Sequence, residues 1–388
     1  MRRIAHLVAV VALAAGLAAG STSAGTSRQH WTITDLGTLG AQYEDCVAAA
    51  VNDQGQVVGG CGDSRGRQHA FLWQRGRLTY LGTLGGHDSG ASLINTSGQI
   101  AGTSLTARPA RLHAFLWRGG KMTDLGTLGG HSSRPRAMND RGQVVGESER
   151  ADGTVHAYLW QAGKMTDLGT LGGRNSIALA VNDRGRVVGA SELPNGKEHA
   201  FLWQRGKMTD LGTLGRDYTS SRAVAINARG EVVGASYKEL VTQTGQQGNA
   251  FLWRAGTMKN LGALSGDRSS SAVAINSRGQ VVGSSDDGHG SYHPVLWQNG
   301  KKAALATFGG SGYTELAGID ARGRVIGSSV PAKGRTVHAA VWQNAAITDL
   351  GTLGGSESDA TAINARGWIV GVAQLRNGHR HAVLWMLR

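Results

Sequence analysis

Three strings recur eight times each along this chain, and that periodicity limits the possible fold more than any other feature. His-Ala-Phe-Leu-Trp stands at His69–Trp73, His113–Trp117 and His199–Trp203, with variants at His156–Trp160, Asn249–Trp253, His293–Trp297, His338–Trp342 and His381–Trp385. The eight tryptophans are 44, 43, 43, 50, 44, 45 and 43 residues apart. Leu-Gly-Thr-Leu-Gly-Gly, or a close variant, begins at Leu36, Leu81, Leu125, Leu168, Leu211, Leu261, Leu305 and Leu350. Asn-x-x-Gly-x-Val-Val-Gly is headed by Asn52, Asn95, Asn139, Asn182, Asn227, Asn276, Asp320 and Asn364. A unit this small cannot bury both of its faces alone, so the units must pack on one another.

Each unit reads as four short strands, a to d. In the fifth they are Ala223–Asn227, Glu231–Ser236, Ala250–Trp253 and Met258–Leu264. Tight glycine turns join a to b and c to d, as at Gly230 and Gly206, where a positive φ is needed. Gly is 60 of 388 residues against 5 Pro, which excludes collagen, and 40% hydrophobic content argues against disorder. A four-stranded meander of about 44 residues is the blade period of a β-propeller. The expectation is therefore an all-β, eight-bladed propeller of four-stranded antiparallel blades. Phase predicts how it closes. Residues 31–39 form a strand d with no strand c before it, and residues 381–388 form a strand c with no d after it. The N-terminal strand should complete the last blade. A parallel β-solenoid is the alternative, but it needs no such half-units.

Arg2 and Arg3, the apolar run Leu7–Ala19 and the small residues Thr22–Ala24 have the pattern of a secretory leader. The expected organisation is a signal peptide at 1–24, a short linker at 25–30 and one propeller domain at 31–388. The run is shorter than the roughly 20 residues that span a bilayer, so no membrane insertion is expected. Formal charge is +13, or +11 without Arg2 and Arg3. Such a field attracts polyanions.

The His-Ala-Phe-Leu-Trp strings, together with Asp-Leu-Gly-Thr-Leu-Gly-Gly, resemble the bacterial extracellular repeat family named for its His-Ala-Phe tripeptide (HAF repeats). The resemblance covers nearly the whole chain after the leader and implies export and a repeat fold. It supplies no catalytic residues. Units six to eight depart from it, with His-Pro-Val, His-Ala-Ala and His-Ala-Val.

One His per blade would be spread around a ring, whereas metal ligands must converge on one ion. The recurrent His and Asp (Asp35, Asp124, Asp167, Asp210, Asp349) thus read as structural hydrogen-bonding groups, the eight Trp as core anchors, and no metal or cofactor is called for. The Gly-x-x-Gly-Gly strings lack the following helix of a phosphate loop. Cys46 and Cys61 both lie in the first a–b hairpin. If Val51 faces Gln56, the same register sets the two cysteines opposite each other, and a disulfide is predicted. A bulge would disturb that register.

The b–c and d–a loops share one face of such a ring, and variable loops are the default place for recognition. In units seven, eight, one and two the b–c loops carry Lys333, Arg335, Arg376, Arg380, Arg65, Arg67, Arg108 and Arg111 against Asp63. In units three to six, eight acids face Arg150, Lys197 and Lys238. A basic sector for an anionic surface is expected there. The functional expectation is a secreted, monomeric, non-catalytic scaffold binding an anionic wall polymer, glycan or protein. The alternative is a propeller enzyme acting on polysaccharide, with Tyr313, Glu315 and residues 286–293 as the least repeat-like positions. Nucleic acid is disfavoured, since base-stacking aromatics are scarce at 6%.

Overall fold

A computed structural model of the chain describes residues 30–238, 247–332 and 336–388. The leader-like segment therefore lies outside the described residues, as do Lys333 and Arg335. Eight four-stranded antiparallel sheets form an eight-bladed β-propeller. Blade 1 runs through Tyr43–Val51, Val57–Asp63, Gln68–Gln74 and Arg77–Tyr80. Blade 8 is Gly354–Ile363, Ile369–Leu375 and Arg380–Leu387, completed by Trp31–Asp35 from the opposite end of the chain. The register there is Trp31 on Leu387, Ile33 on Trp385 and Asp35 on Val383. The predicted closure is thus observed. Among the described residues no helix is long and apolar enough to cross a membrane.

Strand d is shorter than the sequence pattern implied. In blade 5 it spans Thr257–Asn260, and in blade 8 it stops at Asp35. The Leu-Gly-Thr-Leu-Gly string that follows is the link to the next blade. Its first Leu is buried, as with Leu125 and Leu168, while the Gly after it takes a positive φ that ends the pairing.

The two glycines of Asn-x-x-Gly-x-Val-Val-Gly answer different needs. The first sits at positive φ in the a–b turn, +72° at Gly185. The second faces a β-bulge that recurs in strand a of every blade, as between Ala178 and Ala180. There the Ile177 carbonyl oxygen lies 1.9 Å from where a Cβ on Gly189 would begin. Only glycine lets the bulged backbone approach that closely.

The bulge also corrects the cysteine argument. The turn closes one residue later than assumed, with Val51 facing Val57 and not Gln56. The shift between Ala48 and Ala50 then restores the register, and Cys46 faces Cys61 in a disulfide. In blades 2 to 6 these positions hold facing serines, such as Ser133 and Ser148. The Ser133 hydroxyl accepts from Ala114 N at 2.9 Å and donates to the Gly126 carbonyl at 2.6 Å, tying two blades together. Blade 1 has exchanged that polar pair for a covalent one, at the seam.

Five of the seven recurrent histidines have the recurrent aspartates as their hydrogen-bond partners. His113 Nδ1 lies 2.8 Å from Asp124, and His156, His199, His338 and His381 meet Asp167, Asp210, Asp349 and Asp35 in the same way. The same aspartate accepts from the following Gly N–H, as at Asp210 and Gly212. Burial pushes the Asp210 carboxyl up, but its bonds with His199 and Gly212 outweigh this and hold it below its ordinary range.

The tryptophans are not uniform anchors. Trp73, Trp117, Trp160, Trp203 and Trp253 are only half-buried. In those five blades the fully buried aromatic is Phe71, Phe115, Tyr158, Phe201 or Phe251. Blades 6 to 8 have Val295, Ala340 and Val383 there instead, and Trp297, Trp342 and Trp385 turn inward to 3%, 1% and 0% exposure. One large ring per blade fills the interface, from whichever position supplies it. Tyr158 alone brings a hydroxyl into that slot, and its Oη is buried without a partner. Replacing it by the Phe of the other blades (Tyr158→Phe) removes that penalty. An increase in unfolding free energy of about 1–2 kcal/mol is expected by denaturant titration.

Candidate functional site

Two faces flank the ring. One carries the tight a–b and c–d turns, the other the longer b–c and d–a loops.

The tight-turn face is organised by the asparagine that heads each a–b turn. Asn139 Oδ1 accepts from Arg141 N and Gln143 N, and its Nδ2 donates to Gln143 Oε1 and to the Asn182 carbonyl of the next blade. The last contact repeats at 2.8–3.3 Å from blade to blade, and Asn364 closes the circuit on the Asn52 carbonyl. The link from blade 7 to blade 8 is missing because Asp320 has no amide to donate. Its carboxylate instead takes Arg324 at 2.7 Å.

This scaffold holds a second residue of each turn outward. That residue is Arg141, Arg184, Arg229, Arg278, Arg322 or Arg366 in blades 3 to 8. Farther from the axis, the c–d hairpins have two central residues at positive φ, such as Arg205 (+51°) and Gly206 (+80°). This is the two-residue turn whose twist matches the strands. The seven four-residue c–d segments, from 74–77 to 343–346, contain nine Lys and Arg and no acid. The eight a–b turns, counted with their heading Asn or Asp320, contain eight Arg and five acids. The tight-turn face therefore carries +12, whereas the rest of the chain beyond Arg3 sums to −1. Its acids are committed: Asp53, Asp140 and Asp183 accept backbone N–H groups from the neighbouring blade, and Glu231 holds Arg229 at 2.8 Å.

A cleft of about 670 Å³ opens on this face at blade 4, lined by Arg184, Gly185, Arg186, Gln204, Arg205, Lys207 and Thr209. No acid lines it. A second cleft of about 370 Å³ adjoins it across Arg186 and Gln204 and reaches Trp253, Arg254 and the Arg229–Glu231 ion pair of blade 5.

The loop face is less basic than its sequence sector implied. Arg67 pairs with Asp63 at 3.2 Å, and Arg380 with Glu357 at 2.6 Å. The Arg67 N–H leads the bonds on Asp63, joined by those from His69 and Arg65, and together they outweigh desolvation and lower its carboxyl to about 2. Arg65, Arg108 and Arg376 are exposed and Arg111 half-buried. Among the described residues, four of the six predicted cations there have no carboxylate partner, and the stronger basic field lies on the opposite side. Sequence reasoning had counted only the variable loops. The signal it missed was Arg at one turn position in six units.

The irregular carboxylates are engaged locally. Tyr313 donates to Glu315 at 2.5 Å, Asp286 accepts from Gly288 N and Asp287 from His289 N, and Glu147 pairs with Arg136. Asp287 is held below its ordinary range chiefly by the bond from His289 N–H.

No family model matches this chain, and no curated protein does. Solved structures do. One is the β-propeller domain of the Trilobed protease from Pyrococcus furiosus, described as having an open velcro topology. It is 10% identical with a TM-score of 0.51, covering 77% of this chain and 96% of that one. Another comes from a study of two prolyl endopeptidases, 11% identical with a TM-score of 0.50, covering 89% of this chain. This chain spans about half of that protein, 55% of its length. At these identities the likeness is one of fold.

Proposed function

We propose that this protein is a secreted, non-catalytic binding scaffold of the HAF-repeat type that docks onto an anionic polymer at or outside the cell surface. The observation that carries the reading is the segregation of charge: +12 on the tight-turn face against −1 elsewhere. A field of one sign on one rigid face concentrates polyanions and orients them to it. The leader-like residues 1–24 and the Cys46–Cys61 disulfide support an oxidising, exported setting. The docking side proposed here is the turn face, opposite to the sector read from the loops.

Residues 25–388 are expected to be retained on immobilised polyphosphate and polygalacturonate at low ionic strength. Release should be progressive as salt shortens the screening length from about 30 Å at 0.01 M to about 3 Å at 1 M. Equal retention on a neutral glucan, or elution insensitive to salt, would refute the reading.

A further inference from the structure

The fourth residue after each turn asparagine packs over the turn glycine of the next blade. It is Gln in blades 1, 2, 3 and 6, where its Oε1 accepts from the asparagine Nδ2. In three of those blades its Nε2 then donates to the Gln that follows the strand c tryptophan, as from Gln143 to Gln161 at 2.7 Å. Twice the chain puts a charge here and balances it. Arg324 has Asp320 at 2.7 Å, where the asparagine itself has become an acid. Glu231 has Arg229 at 2.8 Å and Arg254 at 3.7 Å. Blade 4 breaks the rule. Arg186 is half-buried and lies against Gly230, whose side chain, if it had one, would begin 2.1 Å from the Arg186 Nη1. Among the described residues no carboxylate pairs with it.

Arg184, Arg205 and Lys207 surround the same cleft, and among the described residues no acid is in its lining. Arg205 holds its position from a left-handed backbone, φ +51°, which Asn or Gly adopts more readily. Four cations around one cleft leave an uncompensated field that a single carboxylate cannot balance. A phosphate group is multiply charged, and its oxygens match the planar fork of arginine.

From the unbalanced Arg186 and its three neighbouring cations we infer that the blade 4 cleft is a phosphate-binding subsite, which seats one phosphate or diphosphate group of a phosphate-bearing polymer. The inference deepens the docking reading above and rests on it for the polymer.

Calorimetry with inorganic pyrophosphate and with polyphosphate, on residues 25–388, tests it. Arg186→Gln installs the glutamine of four other blades and Arg205→Asn a residue suited to positive φ, so both variants should fold with melting temperatures at or above that of the parent. Arg186→Gln should weaken pyrophosphate binding about tenfold, the loss of one charge-assisted contact. A blade 2 control, Arg118→Gln with Lys121→Gln, should leave pyrophosphate affinity within about twofold while weakening polyphosphate, since the two cations lie outside the cleft but on the docking face. Pyrophosphate affinity unchanged by Arg186→Gln would overturn the subsite, as would equal affinity for polygalacturonate and polyphosphate of matched charge; salt-sensitive polymer binding would then still uphold the docking reading. Absence of any polymer binding, with pyrophosphate bound through Arg186, would instead overturn the docking reading and keep the subsite.

Discussion

Deletion of residues 31–39 is expected to lower the stability of the propeller by about 5 kcal/mol or more and to replace one cooperative unfolding transition by a broader one. The deletion removes the whole of strand d from blade 8, leaving Arg380–Leu387 as an unpaired edge. It removes Leu36, 6% accessible in the intact ring, together with Trp31 and Ile33, and so uncovers the cluster built on Trp385 and Ile369. Burial of each large apolar side chain contributes roughly 1.5–3 kcal/mol, to which the lost ladder bonds add. Circular dichroism melting of the truncated and full chains reads the effect, and a synthetic 30–39 peptide should restore part of it. A melting curve identical to that of the full chain would mean that the ring is not held shut by its two ends.

The second large effect separates the tryptophans by blade. Trp342→Ala should cost about 3–5 kcal/mol, the range for emptying a filled aromatic site. Trp203→Ala should cost clearly less, because Phe201 remains in the interface and Trp203 is half-buried at its edge. The pair is read by urea titration. Equal losses at both positions would contradict the exchange of one buried ring for another between blades 1–5 and blades 6–8.

That exchange shows where sequence reading reached and where it stopped. Loss of Phe from the last three strings was visible, but whether a neighbouring Trp turns inward depends on the space left between two blades. The His–Asp pairing lay closer to the surface of the sequence. Blade 5 has Asn249 in place of His and Asn260 in place of Asp, and there Asn249 turns to Tyr218 instead. Where Ala304 replaces the aspartate, His293 finds Asp267 at 3.0 Å. A self-alignment reading both positions together would have joined them. The same comparison sets Cys46 and Cys61 on a serine pair, which makes their bridge legible without any assumption about the turn.

The basic face was missed for a different reason. Loop length and variability drew attention to the b–c connections, whereas the recurrent turn arginines look, one unit at a time, like ordinary solvated turn residues. Ring closure collects them on one side. It also separates Arg186, unbalanced, from Arg324 and Glu231, whose partners are supplied within their own blades.

By itself, the spacing of the repeats determined the number of blades, the antiparallel meander and the joining of the two ends, because period-two apolar runs and glycine turns act locally and recur eight times. Only the closed ring decided which aromatic is buried, which face is charged and which arginine lacks a counter-ion. Those are properties of neighbours far apart in the chain, where side-chain volume and Coulomb balance are settled between blades.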